Sequence, residues 1–93
     1  MERTYEVEVT EEDIVAALKT PSGGFLAVDC PVAQAVRRAT GEEAVVIASD
    51  LIRIDGKPFW AGDPRVDEMI DWFDSKRFRK PGLPFTFNLR SCN

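Results

Sequence analysis

The dipeptide Asp55-Gly56 lies between two short runs, Leu51-Ile52-Arg53-Ile54 and Lys57-Pro58-Phe59-Trp60. A type I′ turn needs positive φ at both central residues, which Gly adopts freely and Asp tolerates. The pair therefore predicts a two-residue hairpin. Its register follows by counting: Ile54 opposite Lys57, Arg53 opposite Pro58, Ile52 opposite Phe59. The pair flanking such a turn is hydrogen-bonded, so the 53–58 pair is not. Pro58 then costs nothing towards its hairpin partner, and its missing N–H faces the next strand. That predicts an edge strand at 57–60. A tight hairpin in mid-chain argues against a doubly wound parallel sheet in 93 residues.

Other segments fall in line around it. Tyr5-Glu6-Val7-Glu8-Val9 alternates with period two and reads as a strand with one wet face. Thr10-Glu11-Glu12-Asp13 resembles a capping box, with Asp13 where Glu or Gln is usual. It opens a first helix through Leu18 that ends in Thr20-Pro21-Ser22-Gly23-Gly24. Phe25-Leu26-Ala27-Val28 is a brief strand or core-filling coil. A second helix begins near Asp29-Cys30-Pro31, where Asp29 can cap. Its buried stripe is Val32, Ala35, Val36 and Ala39, and Gly41 ends it. Ala44-Val45-Val46-Ile47-Ala48 reads as a well-buried strand. Asp63-Pro64 is the clearest helix start. That third helix covers about 64–77, with Val66, Met69, Ile70 and Phe73 on its apolar face. Pro84 to Leu89 is a final strand. The expected fold is α+β: a small antiparallel or mixed sheet of four to five strands with about three helices packed on it. Residues 1–93 form a single domain, with a mobile tail at 90–93.

Composition narrows function mainly by exclusion. The chain has no histidine, which removes Ser-His-acid and Cys-His catalysis and most zinc sites. Cys30 and Cys92 are too few and too far apart for a disulfide framework. The N-terminus has no apolar leader, so a reducing cytoplasm is the expected setting. The net charge of −4 is opposite to that of a duplex-DNA binder. All sixteen acids lie in residues 1–75 beside seven basic residues, a net of −9, whereas residues 76–93 carry +5. That basic tail either lies on the acidic body or meets an acidic partner.

Few residues could carry chemistry. Cys30, at a helix start, is the one candidate nucleophile, because helix N–H groups stabilise a thiolate. No base accompanies it. Asp67 and Asp71, one helical turn apart, could hold a hard cation, or simply form a wet helix face. Pro21 to Gly24 lacks the spacing of a phosphate loop, so no cofactor is expected. Exposed aromatic and arginine residues are common interface anchors. Trp60, Trp72 and Phe78, with Arg77 and Arg79, are therefore the candidate partner-binding residues. Trp60 and Trp72 could equally be core. Phe78 among Lys76, Arg77, Arg79 and Lys80 could instead stack a nucleic-acid base.

Asp29-Cys30-Pro31-Val32-Ala33-Gln34-Ala35-Val36 resembles a Cys-Pro-Ile/Val-Ala-x-Ala pattern of small bacteriophage and prophage proteins. Val9 to Ile14 and Pro84 to Phe87 extend the likeness. The resemblance implies a setting, an accessory protein made inside a bacterial host, and no activity. The expected function is thus a small intracellular protein-binding accessory protein acting on a host or viral protein, or associating with itself through an edge strand. No membrane association is expected. A cysteine-dependent enzyme using Cys30 and a nucleic-acid-associated protein using 76–80 are the alternatives.

Overall fold

The elements run β1 (Thr4–Val9), α1 (Glu11–Leu18), α2 (Pro31–Thr40), β2 (Ala44–Ala48), β3 (Leu51–Ile54), β4 (Lys57–Trp60), α3 (Pro64–Ser75) and β5 (Phe85–Ser91). They come from a computed structural model that describes residues 3–48, 50–76 and 79–92. The result is an α+β fold: a five-stranded antiparallel sheet of order β1-β5-β4-β3-β2 with three helices. The central hairpin has the expected register, Ile54 with Lys57, Arg53 with Pro58 and Ile52 with Phe59. Asp55 and Gly56 have φ of 49° and 76°, as a type I′ turn requires.

Both strands flanking β3 lie elsewhere than their sequences suggest. Lys57–Trp60 is not an edge, because β5 pairs with it through Phe59–Ser91 and Trp60–Arg90. The proline is accommodated where that ladder runs out. Cys92 N–H donates to the Pro58 carbonyl at 3.1 Å, and the return bond that Pro58 cannot make is the last rung. Ala44–Ala48, expected to be well buried, is instead an outer strand. Only Ala44 is fully buried there, and Ile47 is 47% exposed. The cause is topological. The 44–60 meander is local, and its free side at β4 goes to the β1/β5 pair, which leaves β2 outermost.

Alternation then divides the sheet cleanly. Val7, Val9, Ile52, Ile54, Phe59, Phe85, Phe87 and Leu89 point into the core. Thr4, Glu6, Glu8, Arg53, Pro58, Trp60, Thr86, Asn88 and Arg90 are exposed on the other face. Among the helices, α2 lies closest to the sheet. Its buried residues are Pro31, Val32, Ala33, Ala35 and Val36, while Ala39, expected in the stripe, is exposed. Cys30 rather than Asp29 occupies the N-cap position. The Asp29 carboxylate instead accepts from the Ser22 hydroxyl at 2.9 Å. Helix α3 stops at Ser75, two residues early, because Lys76 turns left-handed (φ 59°).

One polar knot ties these layers together. Asp13, 4% exposed, accepts from Thr10 N–H at 2.8 Å and from the Thr10 hydroxyl at 3.1 Å. The same carboxylate oxygen accepts from Arg38 at 2.9 Å, and Arg38 also donates to the Glu8 carbonyl at 2.6 Å. β1, α1 and α2 are thereby joined through two side chains, and the Asp13 Oδ2 oxygen accepts from three donors.

Phe25 to Val28 is neither a strand nor core filling. It is a turn, with Phe25 64% and Leu26 57% exposed. The preceding Gly24 explains why the loop stands off: at φ +90° it brings its backbone against Phe73 and Ala17. The last strand extends to Ser91, so Arg90 and Ser91, expected in the tail, are strand residues. Among the described residues, no helix is long and apolar enough to cross a membrane.

Two glycines should separate conformational cost from steric cost. Both have positive φ, but a Cβ at Gly56 meets nothing within 4 Å, whereas one at Gly24 lies 2.6 Å from Phe73 Cζ. Gly56→Ala should cost about 1 kcal/mol. Gly24→Ala should cost about 2–4 kcal/mol, because the core itself must move. Urea unfolding of both variants measures the difference.

Candidate functional site

The open sheet face presents an exposed row. Cross-strand register sets Leu51 opposite Trp60, Trp60 opposite Arg90 and Arg90 opposite Thr4. Paired residues share a face, so the four side chains form a line across β3, β4, β5 and β1. Trp60 is 49% exposed and is therefore not core. Its indole lies over Gly62, where a Cβ would approach Nε1 to 3.0 Å. The exposed pair Arg53–Pro58 forms a second, parallel row. Arg53 and Arg90 thus flank the tryptophan, while the acids Glu6 and Glu8 lie towards β1. The hairpin count that gives Ile52 opposite Phe59 also leads to Leu51 opposite Trp60. Arg90 could not be placed from sequence, because it comes from the far end of the chain.

Trp72 behaves differently. It is half-buried and packs against the core. The Lys76 ammonium sits 4.0 Å from its ring centroid and the Lys80 ammonium 5.4 Å away. Lys80 also forms an ion pair with Glu11. Two cations of the basic segment are therefore spent on internal contacts, each cation–π contact contributing about 0.5–1 kcal/mol at such a site. Arg79 is exposed. Arg77 and Phe78 lie outside the described residues.

Cys30 is 8% exposed, and burial pushes its thiol above the ordinary range. The negative charge of Asp74 pushes the same way, against hydrogen bonds from the Ala33 and Val32 backbones. The helix terminus does act on the sulfur, but desolvation outweighs it. Asp67 is exposed and Asp71 partly so. Among the described residues, no group of three or more His, Cys, Asp or Glu side chains converges to hold a metal ion. Asp74 is raised from its ordinary range by desolvation and then by Asp71. A shallow cleft beside Arg3, Tyr5, Glu42, Asp55 and Lys57 has a volume of about 30 Å³. That is room for roughly one water.

No family model matches this chain, and no solved structure matches it. A 2-aminoadipate transaminase of Pseudomonas putida (strain KT2440) is 41% identical over an alignment of 56 residues that covers 57% of this chain. The match spans only 14% of that enzyme's length.

The two thiols should separate in reactivity. Cys92 is exposed and Cys30 buried. In folded Cys92→Ser protein, a thiol reagent at neutral pH should label Cys30 only slowly, and rapidly once urea is added. The raised folded value also fixes a pH dependence. The unfolded thiol ionises in its ordinary range while the folded one stays protonated. Stability from this group is thus full at neutral pH and lost as pH climbs through and above that range. Cys30→Ala should flatten that alkaline loss, as read by urea midpoints at several pH values.

Proposed function

We propose that this chain is a small protein-binding accessory protein whose contact surface is the open face of its sheet, anchored by Trp60. The observation that carries this reading is a half-exposed tryptophan set by cross-strand register between Leu51 and Arg90. Tryptophan and arginine are the residue types most enriched at binding hot spots. An aromatic ring held in place loses little further entropy when a partner covers it. Arg53 favours a partner whose contact region is acidic. The phage-like pattern around Cys30 supports a setting inside a bacterial cell, with a host or viral protein as the partner. The transaminase likeness is too short to bring that enzyme's activity with it.

Two features weigh against the alternatives. Cys30 is buried with a raised pKa, the reverse of an activated thiol. Lys76 and Lys80 are engaged with Trp72 and Glu11. That leaves the 76–80 segment less charge to offer a nucleic acid.

Affinity capture from nuclease-treated host lysate, run in parallel with wild type and Trp60→Ala, tests the proposal. A partner held by wild type should be lost by the variant, with affinity falling about 30-fold, the equivalent of a 2 kcal/mol hot spot. The urea midpoint should barely change, since half of the side chain is already in water. Equal capture by both proteins, or capture abolished by nuclease, overturns the reading.

A further inference from the structure

We infer that the outer edge of β1 is a strand-addition site for an extended segment of a partner protein in which basic and apolar residues alternate. This goes beyond the Trp60 face and rests on different residues.

The two edges of the sheet are closed to different degrees. On β2, Ala44 is fully buried, and the Val46 N–H is bonded to the Ala27 carbonyl of the 25–28 turn. On β1, Thr4, Glu6 and Glu8 are exposed. Register shows which backbone groups of β1 face out. The Ser91 N–H donates to the Arg3 carbonyl at 2.9 Å. By alternation Tyr5, Val7 and Val9 also direct their polar groups at β5. The N–H and C=O of Thr4, Glu6 and Glu8 therefore point away from the sheet. The Arg38 guanidinium, 2.6 Å from the Glu8 carbonyl, agrees with that direction and ends the open stretch there. Among the described residues, no hydrogen bond reaches the backbone N–H or C=O of Thr4 or Glu6. These four main-chain groups have the spacing of a ladder and would hold an added strand.

Side chains select the occupant. Glu6 and Glu8 lie on the open sheet face opposite Asn88 and Thr86, which are neutral. Among the described residues, neither carboxylate has an ion-pair partner. A residue added opposite Glu6 shares its face, so a lysine or arginine there meets an unpaired carboxylate. Glu8 is then within reach as a diagonal neighbour. The residues in between turn to the other face, beside half-buried Tyr5 and buried Val7, which suits apolar side chains. A second copy fits badly. Antiparallel pairing of β1 with itself about a two-fold at Glu6 sets Glu6 against Glu6, and about Val7 it sets Glu6 against Glu8 twice. Like charges directly opposite are destabilising.

Two synthetic peptides test this on the full chain, one alternating lysine and valine, the other glutamate and valine. The lysine peptide should bind roughly tenfold more tightly, as expected for two exposed charge pairs gained rather than opposed. Hydrogen exchange should slow at the Thr4 and Glu6 amides and stay unchanged at Val46. Glu6→Gln/Glu8→Gln should remove the preference, whereas Asp67→Asn/Asp71→Asn, an equal change of net charge on α3, should keep it. Thr4→Pro takes away one outward N–H and no ladder bond. It should weaken the lysine peptide about tenfold and leave the urea midpoint nearly unchanged. Equal binding of the two peptides, no binding, unaltered exchange at Glu6, or a preference lost in the α3 variant overturns the inference. So does a dimer in sedimentation whose Glu6 amide is protected without peptide. Trp60→Ala should leave peptide binding intact, which keeps this result separate from the fate of the Trp60 face.

Discussion

A five-stranded sheet has two faces, and three short helices can cover one of them. Everything else follows from that shortage of material. A chain of 93 residues can bury about 64% of its surface. The solvent-accessible area of 5513 Å² is close to what the size law allows, about 5,400 Å². One layer of helix on one layer of sheet uses the available apolar side chains. The second sheet face has to be stable in water, and Thr4, Glu6, Asn88 and Arg90 make it so. Trp60 is the largest apolar side chain exposed on that face, with Leu51 and Pro58 beside it, and such a cluster on a face otherwise built for water draws a functional reading.

Close packing of the single helical layer depends on small residues and one buried carboxylate. Ala33 and Ala35 let α2 lie low on the sheet, so that β1 and β2 both touch it. Asp13 then fastens the arrangement, because its oxygen serves the start of α1 and the guanidinium of Arg38 together. Its hydrogen bonds span layers as well as one helix turn.

The local parts of this fold were legible in the amino-acid order. Alternation at Tyr5–Val9, the caps at Thr10 and Asp63, and the turn at Asp55-Gly56 each act over a few residues, and each lies where its chemistry puts it. The failures share a physical origin. Apolar content makes Ala44–Ala48 look well buried and Pro58 makes 57–60 look peripheral, yet strand order depends on which distant segment arrives alongside. Composition cannot report that. The same limit hid the candidate face. Trp60 and Leu51 were within reach of the hairpin count, while Arg90 joins them from the other end of the chain. Phe25–Val28 was misread because apolar runs usually seek the core, whereas here Gly24 already fills the space against Phe73 and Ala17.

The junction between β4 and β5 has a mechanical consequence. β1 and β5 are laddered from Thr4–Arg90 to Val9–Phe85, and β2, β3 and β4 form a continuous meander. Among the described residues, the register between these blocks holds at Phe59–Ser91 and Trp60–Arg90, with Pro58 closing the ladder. The sheet is thus two panels joined along a short seam. The meander is assembled from near neighbours, while the other panel requires the two ends of the chain to meet, a slower event. Trp60 and Arg90 lie on opposite sides of that seam. Anything gripping both side chains would rivet the panels together, and its binding energy would appear as resistance of the whole sheet to opening.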